Sequence, residues 1–367
     1  MRFIPLAALL FLPKLLGAEG AGGTQSANGW TLVPPSWQYI FPRDHAPHPA
    51  FKTEWWYFTG GLQTRDGREF GYELTWFREG VMPNPPRDGS RFIQRDFKFA
   101  HFGVSDVAAG RFDFAQKLSR GAYQEAGFGD GKAGKLAWID DWRLTVLPGG
   151  DWRIEAEDGG RALSLHLVPV KGPVIEGENG VSRKAAGEGH ASCYYSYTRM
   201  RVEGQLTLPG LGPLAVTGET WFDHEWATNQ LASDQAGWDW FSVQLSNSTE
   251  LMLYRMRLKN GQPDGASSGT FTRGDGTVEY LKADDFKLTP LEWWQSAATP
   301  GNYPIRWRVE IPRLDLKLEV STPLKNQELA LPALTYWEGL IHAAGSVGGA
   351  AVTGHGYLEL TGYSRAL

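Results

Sequence analysis

Apolar and polar side chains alternate along most of the chain from about Thr53 onward, and glycine, proline and aspartate interrupt the alternation at short intervals. In the segment GYELTWFR, for example, Tyr72, Leu74 and Trp76 share one face of an extended strand. A period of two is typical of half-buried β-strands, whereas helices repeat their apolar residues every three to four positions. Many short strands with few helices predict an all-β fold of sandwiches or barrels.

Turn residues separate these alternating runs. Asp66 and Gly67 stand between two runs, and Asp-Gly is a strong signal for a tight β-hairpin. Residues 148–151, Pro-Gly-Gly-Asp, separate another pair of runs. After Pro312 the phase of the alternation moves by one residue, which predicts a turn or a β-bulge at the proline. We therefore expect consecutive strands to be joined by hairpins.

Residues 1–20 differ from the rest of the chain. They contain a basic Arg2, an apolar run over residues 3–12 and small residues at Ala18 and Gly20. This pattern is typical of a secretory signal peptide cleaved after Gly20, and it predicts a secreted or periplasmic protein. The alternatives are a disordered N-terminus or a short anchor. The run is shorter than the roughly 20 apolar residues that span a bilayer.

Composition excludes some classes of function. The net charge is −5 and no block of Lys or Arg occurs, which argues against nucleic acid as a partner. The only cysteine is Cys193, so no internal disulfide can form. No cofactor motif is present, and we expect no cofactor. The oligomeric state cannot be predicted.

Two segments of the chain resemble each other. Residues 44–78 and 223–257 both begin with Asp-His, continue through an aromatic strand with a carboxylate, and end at an arginine. Either an internal duplication or the general likeness of aromatic strands explains this match. A duplication would mean two related β domains. We expect a flexible segment over residues 21–36, followed by β domains over 37–197 and 198–367.

Motifs distributed from about Trp37 to the C-terminus resemble those of the AttH-like, lipocalin-related secreted family. They are, in order, DHAPHPAFKTEWWYFTGGL, WFDHEW, GWDWFSVQL, ELMLYRMR, YWEG and GYLELTGY. Carotenoid 1,2-hydratases and certain fungal pericyclases belong to the same superfamily. The resemblance implies two packed lipocalin-like β domains with a ligand cavity in or between them, but it does not determine the activity; some members are described as hydrolases.

The 16 tryptophans cluster beside carboxylates. Large rings dominate ordinary cores, but rings with a few polar groups among them are also typical of an apolar ligand cavity. We expect a hydrophobic small molecule or lipid as ligand, with an inner-membrane transporter or a membrane surface as a further partner. The candidate ligand-binding residues are Glu54, Trp55, Tyr57, Trp238, Trp240, Tyr254 and Trp337.

Asp239 is the first candidate catalytic residue. In GWDWFSVQL it lies on the strand face that carries Phe241 and Val243, opposite Trp238 and Trp240. A carboxyl group on an apolar face has a raised pKa and can donate a proton. The alternative is a structural aspartate paired with an arginine such as Arg255.

The stretch GETWFDHEW contains the other candidates, Asp223, His224 and Trp226. We expect Asp223 to begin the exit of a strand, where it would hold the His224 ring in one tautomer, and Trp226 to face a developing cation. The alternatives are a hydrogen-bonded corner and a metal site. The metal site would combine these residues with His45, His48 and Glu225, but the spacing matches no strong zinc pattern.

Two classes of function follow. By resemblance to the hydratases, Asp239 would protonate an alkene, Trp226 and Trp238 would stabilise the cation, and His224 would activate the water. The alternatives are a periplasmic carrier without turnover and a metal-assisted hydrolase, and the absence of G-x-S-x-G argues against a serine hydrolase. The shared-site hypothesis requires convergence on one cavity of five residues: Glu54, Asp223, His224, Trp226 and Asp239.

The N-terminal pattern can be tested directly. We expect the mature protein to begin near Ala21, because the small residues at positions 18 and 20 suit signal peptidase. N-terminal sequencing of the protein from the periplasmic fraction checks this expectation. An intact Met1 on protein from the cytoplasmic fraction would contradict it.

Overall fold

The computed structural model describes residues 24–26, 28–84, 93–132, 134–331 and 334–366. Within them the protein is all-β, as predicted, and forms two lipocalin-like domains. The predicted signal peptide and the start of the predicted flexible segment lie outside the described residues. None of the described helices is long and apolar enough to cross a membrane. The three helices are 3-10 turns at Arg43–His45, Ala283–Asp285 and Pro312–Leu314.

The first domain is one antiparallel sheet of 13 strands. Their bounds are β1 Thr53–Thr64, β2 Glu69–Gly80, β3 Asp96–Asp106, β4 Arg111–Ser119, β5 Ala126–Phe128, β6 Lys135–Ile139, β7 Trp142–Val146, β8 Trp152–Asp158, β9 Arg161–Pro169, β10 Val174–Ile175, β11 Ser182–Arg183, β12 Ala191–Leu208 and β13 Gly212–Ala227. The order across the sheet is β4-β3-β2-β1-β13-β12-β9-β8-β7-β6-β5, and β10 and β11 also pair with β12.

The second domain is an antiparallel sheet of ten strands. Their bounds are β14 Gln235–Leu245, β15 Glu250–Leu258, β16 Ser268–Thr272, β17 Val278–Lys282, β18 Lys287–Gln295, β19 Asn302–Ile311, β20 Leu316–Ser321, β21 Glu328–Ala330, β22 Thr335–Val347 and β23 Ala350–Thr361. The order is β17-β16-β15-β14-β23-β22-β20-β19-β18, with β21 paired to β22.

The two sheets share one plan. In each domain the first strand pairs with both the second and the last, so that β1 lies between β2 and β13, and β14 lies between β15 and β23. The two similar segments occupy matching hairpins. Glu54 is opposite Arg78 in the first hairpin, and Asp239 is opposite Arg255 in the second. The hairpin parts of the two segments therefore have corresponding places in the two sheets. Their Asp-His starts do not correspond, because Asp44 and His45 lie in a 3-10 turn whereas Asp223 and His224 lie in β13 of the first sheet.

The passage between the sheets differs from the predicted boundary at 197/198. That boundary falls inside β12, where the pairing with β13 shifts between Tyr197 and Met200. The chain moves from the first sheet to the second between Ala227 and Gln235. The sequence pattern gives no sign of this boundary, because apolar and polar residues continue to alternate through β12 and β13. Both of these strands belong to the first sheet.

The predicted turns are present. Gly67 adopts a left-handed conformation, φ 85°, between β1 and β2. Residues 147–151 join β7 to β8. At Pro312 a 3-10 turn ends at Asp315, φ 44°, and moves the buried set from Trp307, Val309 and Ile311 to Leu316, Leu318 and Val320.

Three of the four apolar clusters among the described residues form the two domain cores and the interface between them. One fills the interior of the first domain and a second fills the concave side of the second domain. A third lies between the domains and includes Tyr57, Tyr194, Trp240 and Tyr254. Because neighbouring residues of a strand point to opposite faces, β1, β13 and β14 each contribute to a domain core and to the interface.

A substitution at Phe222 tests the packing of the first-domain core. It is buried between Phe58, Trp152 and Tyr195. We expect Phe222→Ala to lower the free energy of unfolding by about 3–5 kcal/mol, because it leaves a cavity among rigid rings. Urea unfolding followed by circular dichroism measures the loss. The control is Phe97→Ala, at a side chain that is 43% exposed, where we expect a change within about 0.5 kcal/mol. Equal losses would contradict this description of the core.

Candidate functional site

A cavity of about 230 Å³ lies between the two domains. The first-domain wall comes from strand faces turned away from that domain's core. In β1 the residues Trp55 and Tyr57 line the cavity, while Trp56 and Phe58 belong to the core. The remaining lining residues from the first domain and the connecting loop are Thr53, Phe77, Phe99, Lys184, Tyr194, Asp223, Glu225, Gln230 and Leu231.

The second-domain wall is a row of side chains across four neighbouring strands. Tyr254 of β15 is paired with Trp240 of β14, Trp240 with Glu359 of β23, and Glu359 with Glu338 of β22. All four residues line the cavity, and the other second-domain lining residues are Trp238, Met256, Leu334, Tyr336 and Thr361. Two carboxyl groups are thus adjacent on a wall that is otherwise mainly aromatic and apolar.

Glu338 is fully buried at this wall. The Tyr57 hydroxyl donates to its Oε1 over 2.6 Å, whereas Oε2 has no hydrogen-bond partner among the described residues. Burial, with the nearby carboxyls of Glu359 and Glu73, raises the pKa of Glu338 well above its usual value. Burial therefore favours the protonated, uncharged form of Glu338, and its Oε2 is free of hydrogen bonds from the described residues.

Two neighbouring carboxyls also keep their protons more firmly than usual. Burial raises the pKa of Glu359 to about 8 against the opposing hydrogen bond from Trp238. Burial likewise raises the pKa of Glu73, behind the cavity, to about 7, although Thr75 donates to it over 2.6 Å. The charged form of each group is disfavoured because no cation compensates its removal from water.

Asp223 is a buried carboxyl of a different kind. It accepts hydrogen bonds from Ser196 and Trp221 at Oδ1, over 2.6 and 2.7 Å, and from Tyr194 at Oδ2, over 2.7 Å. Burial raises its pKa to about 7 in spite of these donors. Asp223 can therefore exist in either protonation state near neutral pH, which suits a group that exchanges protons.

The structure does not bring the five residues of the shared-site hypothesis together. Asp223 lines the cavity, but His224 points to the opposite face, into the first-domain interior. Both lie within β13, which continues to Ala227, so Asp223 does not mark a strand exit. Consecutive strand residues face opposite sides, and for that reason Asp223 cannot orient the ring of His224.

His224 belongs with Glu54 and Trp226 to a network in the first domain. Glu54 Oε1 lies 2.9 Å from His224 Nε2 and 2.9 Å from His48 Nδ1, and Arg78 Nε donates to Glu54 Oε2 over 3.0 Å. Trp226 stacks on the His48 ring at 3.7 Å. Burial alone would raise the pKa of Glu54, but its hydrogen bonds with the two histidines and the charge of Arg78 hold it well below its usual range.

This network contains the atoms of a three-ligand metal site. One ligand atom from each of His48, Glu54 and His224 lies within 4.8 Å of the others. Arg78 places a cation on the same carboxylate, and the Glu54 oxygens pair with both rings. Hydrogen bonds and the ion pair with Arg78 therefore account for this set of side chains. His45 bonds Tyr195 instead, over 2.6 Å.

Asp239 lies on the far side of β14 from the cavity. It is fully buried, and Arg255 holds Oδ2 through Nη2 at 2.6 Å and Nε at 2.8 Å. Tyr363 donates to Oδ1 over 2.7 Å, and Arg257 lies 3.1 Å away. The alternative of a structural, arginine-paired aspartate describes this geometry. As predicted, Trp238 and Trp240 occupy the opposite face.

Some of the candidate ligand-binding residues line the cavity and others do not. Trp55, Tyr57, Trp238, Trp240 and Tyr254 line the cavity, whereas Glu54 and Trp337 do not. Trp337 is buried in the second-domain core, and its Nε1 donates to the Lys325 carbonyl.

Sequence reasoning missed Glu338, Glu359 and Lys184 as site residues. A signal for the first was present in YWEG, where Tyr336 and Glu338 alternate around Trp337. Since Trp337 faces the core, the glutamate beside it has to face the other way.

The neutral state of Glu338 has a consequence for stability. Between its unfolded pKa, about 4.3, and its raised folded pKa, the unfolded chain binds fewer protons, so the stability of the fold declines as pH rises. We expect Glu338→Gln to remove this decline and to raise the free energy of unfolding at neutral pH by about 0.5–2 kcal/mol. Urea unfolding of the wild-type protein and the variant at several pH values measures the free energy of unfolding of each.

Glu54→Gln is the contrasting control. The depressed pKa of Glu54 contributes stability above about pH 4.3 that is lost as pH falls. This variant leaves Arg78 buried without its partner and should lower stability at neutral pH by about 3–5 kcal/mol, with a smaller difference in acid. Changes of the same sign in the two variants would contradict the assigned charge states.

Comparisons with known proteins agree with this architecture. The family model described as AttH-like matches residues 32–363. A candidate AttH protein from Nitrosomonas europaea is similar in structure, with 31% identity, TM-score 0.82 and coverage of 91% of this chain and 100% of that one. A search of curated proteins gives no significant match.

Two more distant structures share the fold. Kievitone hydratase from Nectria haematococca has 16% identity, TM-score 0.68 and coverage of 94% of this chain and 97% of its own. CghA, solved with Sch210972, has 13% identity, TM-score 0.54 and coverage of 93% and 98%. With the family model spanning both domains and the cavity between them, the chain belongs to the AttH-like family.

Proposed function

We propose that the interdomain cavity binds a hydrophobic, alkene-bearing molecule of isoprenoid type and adds water to its double bond. The observation that carries the proposal is Glu338, a buried neutral carboxylic acid whose Oε2 is unpartnered in an aromatic cavity. The fold shared with a kievitone hydratase supports the same reaction class. The N-terminal pattern supports a further proposal, that the protein acts outside the cytoplasm.

The first step is protonation of the alkene. Glu338 transfers the proton of its carboxyl group to one alkene carbon, and the π electron pair forms the new C–H bond. The other carbon becomes a tertiary cation and Glu338 becomes a carboxylate. Tyr57 donates to Oε1 over 2.6 Å and stabilises the negative charge as it develops.

The aromatic wall stabilises the cation. Trp55, Trp238 and Trp240 line the cavity from both domains, and the faces of indole rings attract cations, most strongly where water is excluded. The apolar wall also keeps bulk water away until the cation has formed. This role replaces the one predicted for Trp226, which stacks on His48 elsewhere.

Water then captures the cation, and Asp223 accepts the released proton. Asp223 is paired directly across β1 and β13 with Tyr57, the partner of Glu338. Side chains in such a pair lie about 5 Å apart at Cβ. One oxygen–carbon bond forms and one proton leaves the water. Exchange with solvent then restores the proton on Glu338 and the charge on Asp223.

The test uses farnesol, geraniol and a prenylated phenol as probes in heavy-oxygen water. We expect a product with the mass of the probe plus one labelled water, detected by mass spectrometry. Glu338→Gln should lower the rate at least about 100-fold, the usual contribution of a general acid. The matched control is Glu203→Gln, whose side chain is 76% exposed, and it should retain the wild-type rate.

The outcomes separate the enzyme from the carrier. Binding of all probes without label incorporation would contradict hydration and favour a carrier. Turnover that persists in Glu338→Gln would contradict the assignment of the acid.

A further inference from the structure

We infer that the ligand of the interdomain cavity is a rod-shaped amphipathic alcohol, with its hydroxyl head at Lys184, Glu225 and Gln230 and its double bond at Glu338. The position of the double bond rests on the proposed function. The position of the head is a statement about binding and holds without turnover.

Lys184 forms the first part of the head site. Lys184 is 8% exposed and lines the cavity. The ammonium lies 3.1 Å from Glu225 Oε1 and over the rings of Tyr254 and Tyr194, at 4.1 and 5.0 Å from their centroids. A buried ammonium with three N–H donors and rings on two sides has capacity to donate to a ligand oxygen.

Two acceptor atoms lie beside it. Glu225 Oε1 is ion-paired with the Lys184 ammonium at 3.1 Å, and a carboxylate oxygen can accept a further hydrogen bond. Gln230 Oε1 is buried and accepts no hydrogen bond from the described residues, although its side chain lines the cavity. Buried polar atoms are normally satisfied, so the unmet acceptor of Gln230 indicates a donor group that arrives with the ligand.

These atoms specify the chemistry of the head. A hydroxyl group donates one hydrogen bond and accepts others, so it can accept from the ammonium of Lys184 and donate to Gln230 Oε1 or to Glu225. A carboxylate or a phosphate diester has no proton to donate and would face the carboxyl group of Glu225. A hydrocarbon end would leave Gln230 Oε1 without a donor. The head is thus an uncharged hydroxyl, on an alkyl chain or an aromatic ring.

The distance between the two ends sets the length of the molecule. The row of paired residues on the second-domain wall begins at Tyr254, whose ring lies under the Lys184 ammonium, and ends at Glu338. Three strand spacings separate Tyr254 from Glu338, which is about 14 Å. Trp240 lies between them on this wall and Trp55 lies on the opposite wall. An extended chain of about that length spans from head to acid.

The test measures binding without turnover. Hexahydrofarnesol, a saturated alcohol of suitable length, and its methyl ether are titrated into the full-length protein by calorimetry. We expect the alcohol to bind about tenfold more tightly, because the ether cannot donate to Glu225 and Gln230. Equal affinities would contradict a hydroxyl head site.

Three variants locate the preference. Gln230→Leu removes one acceptor and should reduce the preference for the alcohol to about twofold or less. Lys184→Met should weaken binding of the alcohol about tenfold, and Lys282→Met, at a side chain that is 68% exposed, should change neither affinity. Gln230→Leu decides the matter if Lys184→Met fails to fold. A full preference retained in Gln230→Leu would overturn the assignment.

The two proposals can fail separately. Alcohol preference in a protein that never incorporates labelled water would refute hydration and retain the head site. Hydration of farnesol with no discrimination between the saturated alcohol and its ether would refute the head site and retain the proposed reaction.

Discussion

A carboxyl group removed from water has to find a cation or keep its proton, and this constraint organises both domains. Glu54 pairs with Arg78 inside the first domain, and Asp239 pairs with Arg255 and Arg257 in the second. No cation of the described residues is paired with Glu338, and burial favours its protonated form. The first two carboxylates stabilise the hairpins that carry the cavity walls, whereas Glu338 is the acid of the proposed reaction.

The two domains use one plan for two purposes. In each, a central strand turns one face to its own core and the other toward the partner domain. Outward-facing side chains of β1 and β13 from the first domain, and of β14, β15, β22 and β23 from the second, line the cavity, with Asp223 on one wall and Glu338 on the other. Neither domain carries both groups, so the proposed site depends on their docking.

The sequence predicted the architecture well because period-two alternation and turn residues act locally. The hairpin at Gly67 and the change of phase at Pro312 follow from backbone geometry alone. The candidate site was predicted less well. Trp55, Tyr57 and Trp240 line the cavity, and the sequence pointed to them because aromatic residues beside carboxylates are typical of a pocket. Which carboxylate would lack a cation depends on pairing across strands that are distant in sequence.

Asp223 and Asp239 show this limit in particular residues. Asp223 and His224 are adjacent in sequence, which suggested that they form a pair. Their side chains lie on opposite faces of β13, because consecutive strand residues point to opposite sides. The ion pair of Asp239 depended on Arg255, which comes opposite to it only when β14 and β15 pair. The alternation of side chains along β13 was enough to separate Asp223 from His224. Pairing Asp239 with Arg255 required the register between β14 and β15.

The hydrogen bond from Tyr57 to Glu338 joins one domain to the other at the proposed acid. Any movement that parts the domains breaks this bond and admits water to the carboxyl group, which then ionises like an ordinary glutamate. Separation of the domains would consequently also release the proton of Glu338. The tendency of Glu338 to hold its proton therefore depends on the contact between the two domains.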